Sequence, residues 1–384
     1  MPVALHRDGG VDLHLTTSGE KQQDRHSSGD AKQTGAGSGH GPDATSVHSP
    51  WIEGIGRASV MDQCHYPLAM QSTINLLVCG NGAWSAHIAT TLVSALHATP
   101  ATPIRLFVGA VEIGESDRAL IQSAVPANAI TWIEVSIAEL DALPPRKASK
   151  FNFIELLALD RLPLDVERLV LIDADAIVRD DLTTLRNVDL DGRTLAATRC
   201  TWGLWIGRGI PYFAELGLDG NLKYLQSGVK VVDMAAWRRG NIGEKALAHL
   251  NQWHDVMRLG DQELLNAVID DDWVELPLRW NAVYNPHIDH ELTACGFTRA
   301  DLHASTVDPA IIHFAGPKPW NWARPNREEI PGLEEWEGFA FNGPYRDWYR
   351  AERERGLAVR AAIRPQRRSV LRRIRKAMSV LLHG

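Results

Sequence analysis

The stretch Arg168-Leu-Val-Leu-Ile-Asp-Ala-Asp-Ala-Ile-Val178 joins four consecutive apolar residues to two carboxylates that lie one residue apart. The run from Leu169 to Ile172 predicts a strand buried on both faces. Asp173 and Asp175 follow at its carboxyl end, which is where open α/β sheets bind their ligands. Carboxylate oxygens suit hard cations such as Mg²⁺ and Mn²⁺, which often share them with substrate phosphates. The stretch indicates a metal site or, alternatively, a simple turn in which Asp is common.

Composition is that of an ordinary soluble globular protein. The 384 residues are 45% hydrophobic and 23% charged, and this length allows one large or two small domains with a substantial core. The four cysteines show no close pairing, which argues against a zinc site or disulfide framework and suits a reducing compartment. No run reaches the roughly 18 apolar residues of a membrane span. Residues 1–30 lack the apolar core of a signal peptide, so a cytoplasmic location is expected.

Residues 1–72 differ in composition from the rest of the chain. They are rich in Gly, Ser, His, Thr, Asp and Gln and show no sustained hydrophobic period. A segment with so little apolar surface predicts a disordered leader. Its histidines are irregularly spaced, so metal binding there is the weaker of the two interpretations.

Strand and helix patterns alternate from residue 73 onward. The predicted strands are 74–79, 104–108, 131–135, 169–172, 195–198, 228–233, 273–276 and 311–314. The predicted helices are 84–98, 115–124, 149–162, 244–257, 261–269 and 345–355. Gly80-Asn-Gly82 predicts a tight turn. The alternation in the first hundred residues predicts βαβ units and a mainly parallel sheet, and no boundary interrupts the domain expected over 73–356.

The C-terminal segment, residues 357–384, is strongly basic. Over residues 366–382, apolar side chains at helical spacing form one stripe and Arg and Lys occupy the other positions. This pattern predicts a basic amphipathic helix lying on an anionic membrane surface, or else a helix docked on its own domain. Residues 360–384 contain eight basic and no acidic side chains, so the rest of this −7 chain carries −15. An acidic body disfavours nucleic acid as a partner.

Four further stretches place polar residues beside predicted strands or at a helix start. They are Leu225–Trp237, Gly260–Asn266, Pro277–Asn281 and Ile311–Trp320. Gly228 allows a ligand or backbone to approach closely. Taken alone, each stretch has a structural explanation: Asp261 as a helix N-cap, His313 as a core histidine, Lys318 as a surface cation.

Taken together, these stretches resemble retaining glycosyltransferase family 8, which includes glycogenin and bacterial lipopolysaccharide galactosyl- and glucosyltransferases. The resembling motifs, in the family's order, are Asp173-Ala-Asp175, Gln226-Ser-Gly-Val229, Asp261-Gln262, Leu278-Arg-Trp-Asn281 and His313-Phe-Ala-Gly-Pro-Lys-Pro-Trp320. The resemblance covers about residues 73–322. It implies an α/β, Rossmann-like glycosyltransferase-A fold with a metal site at one edge of a mainly parallel central sheet.

The same resemblance implies how a donor would be held. Asp173, Asp175 and His313 would bind Mn²⁺, or Mg²⁺, against the diphosphate of a UDP-sugar, and this ligand set suits Mn²⁺ better than Ca²⁺. Lys318 would reach the diphosphate as a point charge, and Gly316 would let its loop close over the donor. The other donor-binding positions implied are Asn81, Lys150, Ala174, Gln226 and Ser227. Lys150 is matched only loosely, through Ser149-Lys-Phe-Asn152.

Asp261 and Gln262 are implied as the catalytic pair. By resemblance, Asp261 would bind donor-sugar hydroxyls and Gln262 would lie near the anomeric carbon, opposite the leaving group. The family retains configuration, yet a neutral amide is a poor nucleophile. We therefore favour attack by the acceptor hydroxyl on the face that the leaving group departs from, with the departing phosphate as base, unlike the two-carboxylate chemistry of hydrolases.

Two positions depart from the family pattern. Asn81 stands where the family usually has an Asp that contacts uracil, although Asn can still pair with a pyrimidine edge. Gln226 stands where Asn is more common. The first departure is compatible with a catalytically inactive nucleotide-sugar-binding relative. A phosphohydrolase using Asp173 is disfavoured, because Ile177 replaces the usual Thr or Val and the block from His313 would have no role there.

Acceptor recognition is less well defined by the sequence. The stretch Thr201–Phe213 contains two Trp, a Tyr and three Gly, which suits either an acceptor-side loop or core packing beneath a turn. The expected activity is transfer of galactose or glucose from a UDP-sugar to a glycan or lipid-linked acceptor hydroxyl. The basic C-terminal segment would place this activity at the inner face of the membrane.

Overall fold

The computed structural model describes residues 73–144, 149–202, 205–283 and 297–361. The predicted leader over residues 1–72 and the predicted basic helix over residues 366–382 lie outside the described residues. Residues 203–204 of the predicted acceptor loop also lie outside them.

Ten strands form two sheets in the described ranges. They are β1 (Ile74–Asn81), β2 (Ile104–Val111), β3 (Ile130–Glu134), β4 (Arg168–Ile172), β5 (Ala176–Val178), β6 (Leu195–Arg199), β7 (Leu225–Asp233), β8 (Trp273–Leu276), β9 (Ala282–Val283) and β10 (Ile311–His313). The large sheet has the order β3-β2-β1-β4-β7-β6-β8, and the small one has the order β5-β10-β9. Strands β3, β2, β1 and β4 run parallel, as does the pair β6 and β8, whereas β7 is antiparallel to both neighbours. The mainly parallel sheet is confirmed.

Helices flank these strands. They are α1 (Ser85–Ala98), α2 (Glu115–Ala124), α3 (Ile137–Asp141), α4 (Ile154–Leu159), α5 (Thr183–Arg186), α6 (Ile206–Gly209), α7 (Met234–Arg239), α8 (Ile242–Trp253), α9 (Asp261–Ile269), α10 (Arg299–Val307) and α11 (Leu333–Asn342). Short 3₁₀ helices cover Gly82–Trp84, Lys150–Phe153, Leu278–Asn281 and Arg327–Glu329. A further helix runs over residues 346–361. No helix in the described part is both long enough and apolar enough to cross a bilayer.

The sequence placed most elements correctly and misplaced two. The predicted turn at residues 80–82 is wrong: Gly80 and Asn81 continue β1 because they still pair with Ala110 and Val111 of β2. The predicted helix over 149–162 is a 3₁₀ turn followed by α4, which ends at Leu159. The elements that were not predicted are helices α3, α5, α6, α7, α10 and α11 and the short strands β5 and β9.

Strand β4 lies in the middle of the large sheet, with apolar packing on both faces. Its side chains alternate between two clusters: Val170 and Ile172 pack in one, Leu169 and Leu171 in the other. All four are at most 1% exposed. This two-sided burial explains the unbroken apolar run, and it fixes the carboxyl end of β4, from which the acidic residues project.

Candidate active site

Asp173, Asp175 and His313 meet at the carboxyl end of β4. Asp173 follows β4, and its backbone N–H donates to Gly228 O at 2.9 Å. His313 ends β10, and the antiparallel register pairs it with Ala176 of β5, next to Asp175. His313 Nε2 lies 3.0 Å from Asp175 Oδ1 and 3.4 Å from Asp173 Oδ2. The sheet pairing thus brings together three residues that the sequence places up to 140 positions apart.

The three side chains fit a divalent cation. One ligand atom from each lies within 4.8 Å of the others. His313 Nδ1 is 2.8 Å from Asn281 Oδ1. Since the Asn oxygen is an acceptor, Nδ1 donates to it, and Nε2 faces the two carboxylates, where it would be the ligand atom for a bound cation. A second bond that fixes the tautomer in this way is typical of metal-binding histidines.

Asn281 belongs to a motif of the sequence resemblance, but its role was not predicted. Its Nδ2 donates to Gln226 Oε1, which also accepts the Gly228 N–H at 2.7 Å. Gln226 therefore holds Asn281, and Asn281 holds His313. In this arrangement Gln226 supports the metal-binding group, and its carbonyl oxygen is already engaged by two donors.

Gly228 is required where it stands. A Cβ at this position would lie 2.1 Å from His313 Cε1 and 2.9 Å from Asp173 Oδ2. No side chain can be placed there without displacing the candidate metal ligands. The close approach predicted from the sequence is therefore an approach of the β7 backbone to His313 and Asp173.

Charge is unevenly distributed in this group. Burial and the neighbouring Asp175 carboxylate raise the pKa of Asp173. Burial alone would raise the pKa of Asp175, but Lys318 and His313 outweigh it and hold that pKa well below its usual range. Lys318 Nζ forms an ion pair with Asp175 and donates to Phe314 O at 2.6 Å. A cation at the metal-binding group would compensate both carboxylates at once.

Asp261 and Gln262 open helix α9 beside the start of β7. Gln262 Oε1 accepts the backbone N–H of Ser227 at 3.4 Å, and Gln262 Nε2 lies 3.5 Å from Cys200 Sγ. Asp261 is not an N-cap, because Gly260 occupies the cap position. Its carboxylate instead acts on the nearby Glu155: burial and, more weakly, Asp261 raise the pKa of Glu155 to about 7, although Lys230 lowers it.

A buried ion pair beneath these residues was missed by the sequence analysis. Lys230 of β7 is 0% exposed, and its Nζ lies 2.8 and 3.1 Å from the two carboxylate oxygens of Glu155. Burial would lower the pKa of Lys230, but Glu155 and Asp261 raise it, so the side chain is charged. A lysine within the apolar run Val229–Val232, and a glutamate within Ile154–Leu159, were signals that could have been used.

Other predicted donor-binding residues occupy different surroundings. Asn81 Oδ1 accepts the Ala83 N–H at 3.1 Å and so caps the 3₁₀ helix that follows. Lys150 is not brought to the metal-binding group; its Nζ pairs with Asp141 on the surface. Ala174 is buried between the two acids, and Gly316 is exposed in the loop after β10. Ser227 is the residue whose backbone N–H donates to Gln262 Oε1.

The predicted acceptor loop divides into two parts. Trp202 is 52% exposed and follows Cys200, the Gln262 neighbour, by two positions. Tyr212, in contrast, is buried, stacks on Trp253 at 4.7 Å and bonds His249 Nε2 at 3.1 Å. The second half of the loop is therefore core packing.

The tryptophans after β10 anchor the loop that carries Lys318. Trp320 stacks on His87 of α1 with ring centroids 3.7 Å apart, and Trp322 is buried. His87 Nδ1 lies 3.0 Å from Tyr349 Oη of the helix over 346–361. The loop is thus held from α1 and from the last described helix.

Comparison with known sequences agrees with this geometry. A sequence profile described as glycosyl transferase family 8 matches residues 75–323, more than half of the chain. The chain belongs to glycosyltransferase family 8.

Two bacterial proteins illustrate the similarity to curated sequences. General stress protein A of Bacillus subtilis is 33% identical over 159 residues, which are 41% of this chain and 54% of that protein. The lipopolysaccharide 1,2-glucosyltransferase of Escherichia coli is 26% identical over 226 residues, or 57% of this chain and 62% of the enzyme. The chain thus matches roughly half to two-thirds of the length of these relatives.

Solved structures show the same fold. The galactosyltransferase LgtC, determined in complex with donor and acceptor sugar analogs, has a TM-score of 0.60 and 23% identity, covering 70% of this chain and 96% of that one. The bifunctional glycosyltransferase WbbM has a TM-score of 0.59 and 17% identity, covering 75% and 53%. The glycosyltransferase-A fold expected for a family 8 chain is confirmed.

Proposed function

We propose that this family 8 chain is a metal-dependent retaining hexosyltransferase. It moves galactose or glucose from a UDP-sugar to the hydroxyl of a glycan or lipid-linked acceptor. The observation that carries the proposal is the group formed by Asp173, Asp175 and His313, with Lys318 beside it, at the carboxyl end of β4. We place the catalytic domain at residues 73–356.

The residues of this group define the cation that it would hold. Two carboxylates and one imidazole with a fixed tautomer favour Mn²⁺, with Mg²⁺ as the second choice. When bound, such a cation supplies positive charge to the diphosphate leaving group. Lys318, which pairs with Asp175 here, supplies a second positive charge, and the exposed Gly316 lets its loop turn toward the donor.

The donor sugar is assigned to the start of β7 and of α9. Asp261, which is free of a capping role, would accept hydrogen bonds from sugar hydroxyls. Gln262 and Ser227, which contact each other, would line the sugar near its anomeric carbon. Gln262 holds its oxygen against a backbone N–H, which supports attack by the acceptor hydroxyl on the leaving-group face rather than a covalent intermediate on Gln262.

The acceptor would approach past Trp202, because this exposed indole is close in the chain to the Gln262 contact. Indole faces stack well on the apolar faces of sugar rings. The basic segment over residues 366–382 would hold the enzyme against an anionic membrane at its cytoplasmic face, where lipid-linked acceptors are reached.

The test is UDP release from a panel of UDP-sugars, with Mn²⁺ and then with EDTA. Native protein is expected to release UDP slowly from one donor, and to lose this activity with EDTA. Asp175→Asn should lower the rate at least about 100-fold, because it removes a charged ligand from the metal-binding group. The matched control is Asp165→Asn, the same chemical change at an exposed salt bridge with Arg105.

The second candidate function is a nucleotide-sugar-binding protein without transfer activity. It is favoured by Asn81, whose carbonyl oxygen already accepts the Ala83 N–H and so has one lone pair, not two, to offer uracil. Mn²⁺-dependent UDP binding without UDP release from any donor, tested with a mixed panel of sugar acceptors, would favour this candidate. Absence of Mn²⁺-dependent UDP binding would exclude both.

A further inference from the structure

We propose that the buried Lys230–Glu155 pair positions the Asp261 carboxylate against the donor sugar. The inference rests on the proposed function and extends it to two residues that the family motifs do not contain. Lys230 and Glu155 act as positioning residues, since neither reaches the surface of the site.

The contacts of Lys230 point toward the site. Its ammonium binds both carboxylate oxygens of Glu155 and also donates to the backbone carbonyl of Ser227. The Asp261 carboxylate, at the start of α9, interacts electrostatically with both members of the pair. The pair therefore links α4, the start of β7 and the first residue of α9, and it acts on the two segments assigned to the sugar.

Charge explains why a lysine is needed here. The groups that face Lys230 electrostatically are Glu155, Asp261 and Asp173, all of them acidic. Without the ammonium, Glu155 and Asp261 would repel each other, and Asp261 would turn away from Glu155 toward solvent. The lysine allows the two acids to stay adjacent and fixes the direction of the Asp261 side chain.

Stability alone does not require this pair. A buried ion pair can often be replaced by apolar residues of similar size without loss of stability, whereas removal of one partner is strongly destabilising. The β7 residues Val229, Val231 and Val232 already lie in the apolar core on the two faces of the sheet. Met at 230 with Leu at 155 would extend that core. A structural role and a positioning role can therefore be separated experimentally.

The experiment compares the native protein with the double variant Lys230→Met/Glu155→Leu. We expect the double variant to melt within a few degrees of the native protein and to bind UDP with Mn²⁺ within about threefold of the native Kd. Transfer from the UDP-sugar should nevertheless fall at least tenfold, because Asp261 has lost its support. Native stability together with native transfer would overturn the inference.

A mutant cycle with Asp261→Asn identifies the group through which the pair acts. If the pair acts through Asp261, adding the double substitution to Asp261→Asn lowers single-turnover transfer no further than Asp261→Asn alone. If the triple variant instead shows the product of the two separate losses of transfer rate, the pair does not act through Asp261 and the inference is contradicted.

Binding separates failure of the inference from failure of the proposed function. Calorimetry measures the Kd for UDP and the Kd for the UDP-sugar, and their ratio reports how much the sugar adds to binding. This ratio should fall only in variants of the pair or of Asp261. Native protein that binds neither ligand would overturn the proposed function and the inference with it. Native protein that favours the sugar, together with a double variant that favours it equally, would overturn the inference alone.

Discussion

At the scale of single residues, two positions in and behind the site can be tested separately, Gly228 and His87. Gly228 leaves room for His313 and Asp173, and no other residue type does so without displacing them. His87, buried behind Trp320, is uncharged at neutral pH because burial lowers its pKa to about 3. Each makes a prediction that can be checked by one substitution.

Gly228→Ala should weaken metal-dependent UDP binding while leaving a folded protein. The added Cβ would lie 2.1 Å from His313 Cε1, so the histidine must move away from the carboxylates. We expect the Mn²⁺-dependent Kd for UDP to rise at least tenfold, measured by calorimetry. Gly338→Ala is the matched control: nothing lies within 4 Å of its Cβ, so it should keep UDP affinity and gain about 0.5–1 kcal/mol in helix α11.

His87 should make the native state sensitive to acid. Its pKa falls from 6.5 in the unfolded chain to about 3 in the fold, so the native state resists protonation that the unfolded state accepts. Stability is therefore lost as pH falls below 6.5, by about 2 kcal/mol at pH 5, and the loss stops growing below about pH 3. In His87→Asn, the difference between unfolding free energies at pH 7 and pH 5 should shrink by that amount. Equal pH dependence in both proteins would contradict this assignment.

At the scale of elements, the helix over residues 346–361 supports the loop that carries Lys318. Tyr349 is fully buried, and its hydroxyl lies 3.0 Å from both His87 Nδ1 and Thr90 Oγ1 of α1. Trp320 stacks on the other side of His87. The helix, which follows the segment matched to the family, therefore belongs to the same packed unit as the site.

Tyr349→Phe should destabilise the fold by about 1–3 kcal/mol, because it leaves the buried His87 nitrogen without its hydrogen-bond partner. Urea unfolding followed by fluorescence measures the loss. Tyr345→Phe is the matched control: its hydroxyl bonds the side chain of Asp117, which is partly exposed and can turn to water instead. The control should lose less than about 1 kcal/mol, and an equal loss in both variants would argue against the role of the His87 contact.

Individual strands and helices could be predicted from the sequence, whereas the contacts between distant ones could not. Periodicity located β4 and the bounds of α2 and α9, because apolar side chains there follow one local period. It did not show that β7 inserts antiparallel beside β4, since strand order depends on distant pairing. The pair Lys230 and Glu155 was missed for the same reason: each is a local exception whose partner lies 75 positions away.

At the scale of the whole molecule, charge separates the acidic body from the basic C-terminal segment. The chain carries −7 overall, while residues 360–384 carry eight positive charges. An anionic membrane would repel the acidic body, so the proposed membrane attachment would depend on the basic segment.

Deletion of residues 366–384 should release the protein from vesicles of anionic lipid while leaving Mn²⁺-dependent UDP release unchanged. Each basic residue near such a surface contributes about 1 kcal/mol, so six of them account for most of the binding. Sedimentation with vesicles at low and high salt measures this, and salt should weaken binding of the full chain. Vesicle binding that persists in the truncated protein would assign the attachment to another surface.

The antiparallel placement of β7 determines which changes in chain length the protein can accept. Successive β7 residues project to opposite sides of the large sheet, so Val229 and Val231 pack in one cluster while Lys230 meets Glu155. Removing one residue between Gly228 and Val232 would exchange these sides, placing a valine against Glu155 and the lysine among apolar side chains. Natural relatives and engineered libraries should therefore vary in length around β7 but keep its residue spacing constant.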